Sequence, residues 1–193
     1  MNIKFLGDAL DYWKGSIFFR LQKGGILHDF AADPMLTDAE EWDTADFRLY
    51  AELLQISPDQ VLRHKVSLHE DRDKYFAEIR HSGDLFVDPD TGMTLRGARC
   101  EHIKIREVCQ LLGEKSPRIL CIYQHIRYRT RDRVNRLVSA LRECDANIYS
   151  FSYESRTVAM LFLSRKQGRI ERVERYFKDY FGRRADVRGK IWR

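Results

Sequence analysis

The sequence predicts an α/β fold, doubly wound, with a mostly parallel sheet and a C-terminal antiparallel hairpin, and three observations carry that prediction. Helix-period segments alternate with short apolar runs, the order that parallel strands joined by helical crossovers require. Three apolar runs break abruptly into polar clusters, at 29–33, 88–92 and 124–125, as strands do when they open onto a ligand cleft. The last two runs, 147–153 and 157–164, flank the turn Glu154-Ser155-Arg156 and read as a hairpin. A chain of 193 residues, 44% apolar and 33% charged, suits one domain over 1–193.

The elements follow in order. Asp8 to Gln22 sets Leu10, Trp13, Ile17, Phe18 and Leu21 near one helix face and stops at Gly24-Gly25. Gly25 to Met35 reads as a first strand leaving through Asp33-Pro34. Asp38 to Leu54 predicts a helix with Trp42, Phe47, Leu49, Leu53 and Leu54 for the core, ended near Ser57-Pro58. A short strand over 61–68 and a helix over 71–79 come next. The clearest strand is Asp84-Leu85-Phe86-Val87, which breaks at Asp88-Pro89-Asp90-Thr91-Gly92. A helix over 103–112 leads to a strand over 118–123 that ends at Gln124 and His125. A basic helix over 131–144, the hairpin, and a last helix over 167–181 complete the chain.

Composition narrows the setting. No apolar run approaches the roughly 20 residues that span a bilayer, and acids and a tryptophan stand where a signal peptide would be continuously apolar, so the expected location is cytoplasmic with no membrane partner. Cys100, Cys109, Cys121 and Cys144 are too few and too scattered for a disulfide scaffold and form no CxxC pair; the expectation is reduced, mostly buried thiols. The net charge of +5 hides an asymmetry: residues 1–114 carry 14 Lys/Arg against 21 Asp/Glu, and residues 115–193 carry 20 against 8. An acidic half holding a site and a basic half meeting a polyanion is one reading of that asymmetry; a solvated charged surface is the other.

The motifs carry a resemblance. Gly7, Asp8, Asp11 and Lys14 form G-D-x-x-D-x-x-K, spaced like the G-N-x-x-D-x-x-K start of bacterial large-subunit rRNA adenine methyltransferases. Asp88-Pro89-Asp90 looks like a variant of the D-P-P-Y motif of amino-methylating enzymes in that superfamily. The set of G-D-x-x-D-x-x-K, L-F-x-D-P-D-x-G and Y-Q-H resembles more closely a small family of uncharacterised bacterial and phage proteins with F-L-D-P-D-N-G. The resemblance runs from Gly7 to Arg127 and implies a Rossmann-like, methyltransferase-like fold, with S-adenosylmethionine as the cofactor and nucleic acid or a nucleotide as the substrate. The polar clusters expected to converge at the strand ends, taken with these motifs, mark Asp88, Asp90, His125 and Lys14 as candidate catalytic residues, and Asp8, Asp11 and Asp33 as candidate cofactor-binding residues. Two departures stand out. The stretch Phe30-Ala31-Ala32-Asp33-Pro34 has no glycine where a methyltransferase needs close backbone approach, and Asp90 and Thr91 replace the last two positions of D-P-P-Y.

Other chemistries remain open at this level. Asp88 and Asp90, joined by Asp8, Asp11 or Asp33, have the oxygen ligands that Mg²⁺ or Mn²⁺ takes; with His125 as general base and Lys14 as electrostatic stabiliser, the site would be that of a metal-dependent nuclease or phosphohydrolase. A non-catalytic nucleic-acid- or protein-binding module with a degenerate cofactor site is the third reading, and an Asp-rich turn with no further role is the plainest. Arg127, Arg129, Arg131, Arg133 and Arg136, with Tyr128 among them, are the candidate nucleic-acid contacts, because guanidinium forks suit phosphate and a tyrosine face suits a base; an exposed basic helix is the competing reading. If Asp88 and Asp90 sit in an exposed crevice, replacing either by Asn should shift stability by no more than about 0.5 kcal/mol.

Overall fold

A computed structural model describes residues 1–37, 42–95, 97, 99–113, 117–126, 132–155, 157–181 and 189–192. In chain order its elements are α1 (Ala9–Lys23), β1 (Ala31–Asp33), α2 (Thr44–Leu54), α3 (Arg72–Glu78), β2 (Leu85–Val87), β3 (Gly92–Thr94), β4 (His102–Lys104), α4 (Ile105–Leu112), β5 (Leu120–His125), α5 (Arg133–Cys144), β6 (Tyr149–Glu154), β7 (Val158–Ser164), α6 (Gln167–Phe181) and β8 (Gly189–Trp192). Six strands form one sheet in the order β1-β2-β5-β7-β6-β8, and β3 pairs with β4 in a small parallel ladder beside it. The pairs β1–β2 and β2–β5 are parallel; β7 runs antiparallel between β5 and β6, and β8 runs antiparallel to β6. Four of the six strands therefore point the same way, and their carboxyl ends share one edge of the sheet.

Alternation along the strands divides the core in two. Ala32, Phe86, Cys121 and Tyr123 face one side, with Phe18 and Leu21 of α1, Tyr50 and Leu54 of α2 and Phe177 of α6. Ala31, Leu85, Val87 and Ile122 face the other, with Tyr75 of α3, Leu112 of α4 and Leu137 of α5. Both faces of the inner strands are buried, and this is why they read as continuous apolar runs.

Local chemistry sets the helices of the first face. Asp8 caps α1, its Oδ1 accepting from the Leu10 amide at 2.8 Å, and Asp43 and Asp46 form a reciprocal capping box on α2. The two helices approach closely at Gly15, where an added Cβ would lie 1.9 Å from the Leu53 carbonyl oxygen. Any other residue there would force the pair apart, and with it everything α1 positions.

Most elements lie where the residue pattern places them, with instructive exceptions. The first strand is confined to 31–33, because Gly25 and Asp29 take positive φ of 62° and 46° and break the extended run. The expected strand over 61–68 reduces to one bridge, Val61 with Ala32, and the Leu62 amide donates to the Ala32 carbonyl at 2.8 Å. On α2 the core residue is Tyr50, wholly buried, while Leu49 is 42% exposed. The ladder β3–β4 and the edge strand β8 carry no alternation strong enough to show in the sequence. All four cysteines are free, but only Cys121 is buried, which corrects the expected burial of the thiols.

Candidate functional site

The carboxyl ends of β1, β2 and β5 lie side by side, in register through Ala32, Phe86 and Cys121. A cavity of about 230 Å³ opens there, lined by Asp8, Asp11, Lys14, Asp88, Asp90 and His125 together with Tyr123 and apolar neighbours. Six of the seven residues marked as catalytic or cofactor-binding from the sequence thus meet in one place. The motif G-D-x-x-D-x-x-K explains part of this: Asp11 and Lys14, one helical turn apart on α1, share the face that packs over the strand ends.

Lys14 is the hub. Its ammonium donates to Asp11 Oδ1 at 2.9 Å and to Asp88 Oδ2 at 2.8 Å, and it lies 4.7 Å from the centre of the Tyr123 ring. Only 3% of Lys14 is exposed. Burial by itself would drive the ammonium to give up its proton; the two carboxylates outweigh that and hold its pKa above the ordinary lysine value. Asp11 is pushed up, first by burial and then by the neighbouring Asp88 charge, against the pull of Lys14. Tyr50 donates to Asp88 Oδ2 at 3.1 Å, and burial raises its pKa well above the usual phenol value. Tyr123 is raised as well, by burial and then by Asp88. The cluster is a buried charge network in which each polar partner satisfies another.

Asp88 is 1% exposed, so the expectation that Asp88→Asn leaves stability unchanged is corrected: that rule holds for surface groups, and Asp88 joins Lys14 and Tyr50 in the interior. Asp90 sits nearer the opening. Its Oδ2 accepts from Thr37, whereas its Oδ1 is buried with no hydrogen-bond partner among the described residues, 3.4 Å from the Met1 amino group. That amino group also donates to the carbonyls of Pro34, at 2.7 Å, and Met35.

The turn 88–92 is shaped from β5. Gln124, fully buried, accepts from the Met93 amide at 2.7 Å and donates to the Thr91 carbonyl at 3.1 Å. Gly92 has φ +97°, and a Cβ there would meet the Gln124 side chain at 2.5 Å. Residue 92 must be glycine on both counts. His125, at the end of β5, places Nε2 at 3.2 Å from the Tyr123 hydroxyl.

Asp33 is the exception among the predicted residues. It ends β1 opposite Val87, one residue short of Asp88, and so points to the other face of the sheet. There its Oδ1 accepts from the Tyr75 hydroxyl at 2.6 Å and the Met35 amide at 2.8 Å, and His64 Nε2 lies 3.4 Å away. Asp33 does not reach the 230 Å³ cavity. Tyr50 and Tyr123 were missed in the sequence. Tyr50 lies three residues after Phe47 and four before Leu54, but Leu49 stands four before Leu53, so spacing alone did not choose between them.

Of the arginines, Arg127, Arg129 and Arg131 lie outside the described residues. Arg133 opens α5 and donates to the Met93 carbonyl at 3.1 Å, and Arg136 is exposed one turn later. Both belong to the helix that packs on the Asp33 face, at the same end of the sheet as the cavity. Among the described residues no group of three or more His, Cys, Asp or Glu is arranged to hold a metal ion, and no helix is long and apolar enough to cross a membrane.

These features define a mixed α/β protein with a buried Lys–Asp network at the carboxyl ends of adjacent parallel strands. No protein-family model matches the chain, and no curated protein matches it in sequence.

Proposed function

We propose that the protein is an enzyme of Rossmann-like, methyltransferase-like architecture that acts on nucleic acid or a nucleotide, and that the Asp-rich cavity receives the amino edge of a base. The observation that carries this reading is the acidic wall of the cavity, where Asp8, Asp11, Asp88 and Asp90 stand against two cations, Lys14 and the Met1 amino group that pairs with Asp90 Oδ1 at 3.4 Å. The carboxylates outnumber the cations, so the cavity favours a donor over a phosphate. Adenine, cytosine and guanine each present an exocyclic amino group. The volume of about 230 Å³ admits the edge of a base, not a whole nucleotide, and this suits a base presented out of its stack.

S-adenosylmethionine would supply a methyl group, but the end of β1 does not fit its methionine part. Residues 31–35 are buried throughout, Asp33 closes on the Met35 amide, and the Pro34 and Met35 carbonyls accept from Met1. The reading therefore carries no methyl-transfer step. What the chain's own residues supply is orientation of an amino group by Asp90, a fixed positive charge at Lys14 that Asp88 holds in place, and His125, paired with the Tyr123 hydroxyl, as the candidate general acid or base. The closed turn after β1 favours one second reading, a binding module with a degenerate cofactor site. A Mg²⁺- or Mn²⁺-dependent hydrolase has less support, because the Lys14 ammonium already holds Asp88 Oδ2.

The test is binding of short single-stranded homopolymers to the full chain. Oligo-dA and oligo-dC, which carry exocyclic amino groups, should bind at least tenfold tighter than oligo-dT, and Asp90→Ala, which removes the acceptor, should erase the difference. Equal affinity for all three would overturn the reading.

A further inference from the structure

A second cavity, of about 570 Å³, lies beyond the outer edge of β1, under the segment 62–70 and apart from the Asp88 cavity. Its volume falls within the roughly 300–1,000 Å³ of sites that enclose a whole small molecule, whereas the Asp88 cavity falls below it. The floor is apolar and aromatic, from Leu36, Trp42, Phe47, Leu68 and Tyr75. One side chain on that floor needs a partner. Trp42 is 6% exposed, yet its Nε1 has no hydrogen-bond partner among the described residues, whereas His64 Nε2 faces Asp33 Oδ1 at 3.4 Å. An indole N–H only donates, so whatever satisfies it must bring an acceptor deep into an apolar pocket. The rim has the opposite character from the Asp88 cavity: Arg63, Lys65 and His69 are exposed there, with Glu70 the acidic residue of the lining. The Arg63 guanidinium rests 4.5 Å over the Phe47 ring, so a cation is already seated at the mouth.

We propose that this cavity is a binding site for an anionic ligand with a flat heteroaromatic ring, of the class of a nucleoside monophosphate. The ring enters because the floor is aromatic and the Trp42 N–H requires an acceptor set in an apolar frame, as a ring nitrogen or carbonyl of a base is. The phosphate stays at the rim, where Arg63 and Lys65 supply charge and guanidinium offers a fork of donors. A purely aliphatic acid would leave Trp42 Nε1 unsatisfied, and a cationic ligand would meet the basic rim. The site is independent of the reading of the Asp88 cavity, since no residue lines both.

Calorimetric titration of the full chain with adenosine 5′-monophosphate, adenosine and S-adenosylmethionine tests this. The monophosphate should bind at least tenfold tighter than adenosine. Arg63→Gln with Lys65→Gln, both exposed positions that do not disturb the core, should bring the monophosphate down to the affinity of adenosine and leave adenosine unchanged. Trp42→Phe should weaken both ligands about tenfold, the loss of one buried hydrogen bond, and Asp90→Asn should leave the tenfold preference for the monophosphate intact. Equal binding of monophosphate and nucleoside, no binding of either at millimolar concentration, or tighter binding of S-adenosylmethionine than of the monophosphate would each overturn the proposal.

Discussion

Asp33 and Asp88 close adjacent parallel strands and are both almost fully buried, yet they serve different sides of the molecule. Asp88 turns toward α1 and α2, where Lys14 and Tyr50 engage it beside an open cavity. Asp33 turns toward α3, where the Tyr75 hydroxyl and the Met35 amide engage it. Strand ladders place Asp33 opposite Val87, so Asp88 is a single residue further on, and a side-chain period of two sends the pair to opposite faces. The chemistry of a strand-end carboxylate here is decided by parity. One aspartate holds a charge network at a cavity; the other ties a turn to a helix.

The largest expected effect comes from Lys14→Met, which leaves Asp11 and Asp88 buried without their counter-charge and should cost about 3–5 kcal/mol in unfolding free energy. The pH dependence has a definite sign. The Lys14 pKa is raised on folding, so its contribution is complete below about 10.5 and disappears only as pH rises through the folded value. Asp11 also titrates higher in the folded state, so the protein gains from its protonation in acid, and more so without Lys14. The gap in melting temperature between parent and Lys14→Met should therefore narrow as pH falls from 7 toward 4. A gap that widens in acid would show that Lys14 is not the counter-charge of this pair.

Asp88→Asn should cost about 1.5–3 kcal/mol, the range for a buried hydrogen bond to a charged group. A loss under 0.5 kcal/mol in denaturant unfolding would return Asp88 to the status of a surface turn residue. Tyr50→Phe removes one hydrogen bond to the same carboxylate, a long one at 3.1 Å, and keeps the ring in its packing, so the low end of that range, about 1.5 kcal/mol, is expected. Smallest in stability is Arg136→Ala, at an exposed position. It should leave the melting temperature within a few degrees while flattening the salt dependence of oligonucleotide binding, since each phosphate contact contributes about 0.7–0.9 unit of slope. An unchanged slope would mark Arg136 as plain surface.

The helices and inner strands were legible because burial on two faces leaves long apolar runs and because Asp8, Asp71 and Gly24 punctuate the ends. The meeting of Asp8, Asp11, Lys14, Asp88, Asp90 and His125 was legible for a related reason, as parallel neighbours bring their carboxyl ends together. Three things were not. The face taken by Asp33 depends on register between β1 and β2, which no single strand records. The role of Tyr50 depends on a one-residue phase of α2, where Leu49 and Tyr50 are equally plausible core residues. The depth of the network was hidden as well, since acids and a lysine read as solvent-exposed until Gly15 is seen to let α2 close over them.

The most direct measurement of the parity argument compares Asp33→Ala with Asp90→Ala for discrimination among oligo-dA, oligo-dC and oligo-dT, with folding of each variant verified by its melting curve. The account predicts that Asp90→Ala loses the preference for amino-bearing bases while Asp33→Ala, although destabilised, keeps it at full strength. Loss of the preference in Asp33→Ala with retention in Asp90→Ala would place the site on the opposite face of the sheet and contradict the account.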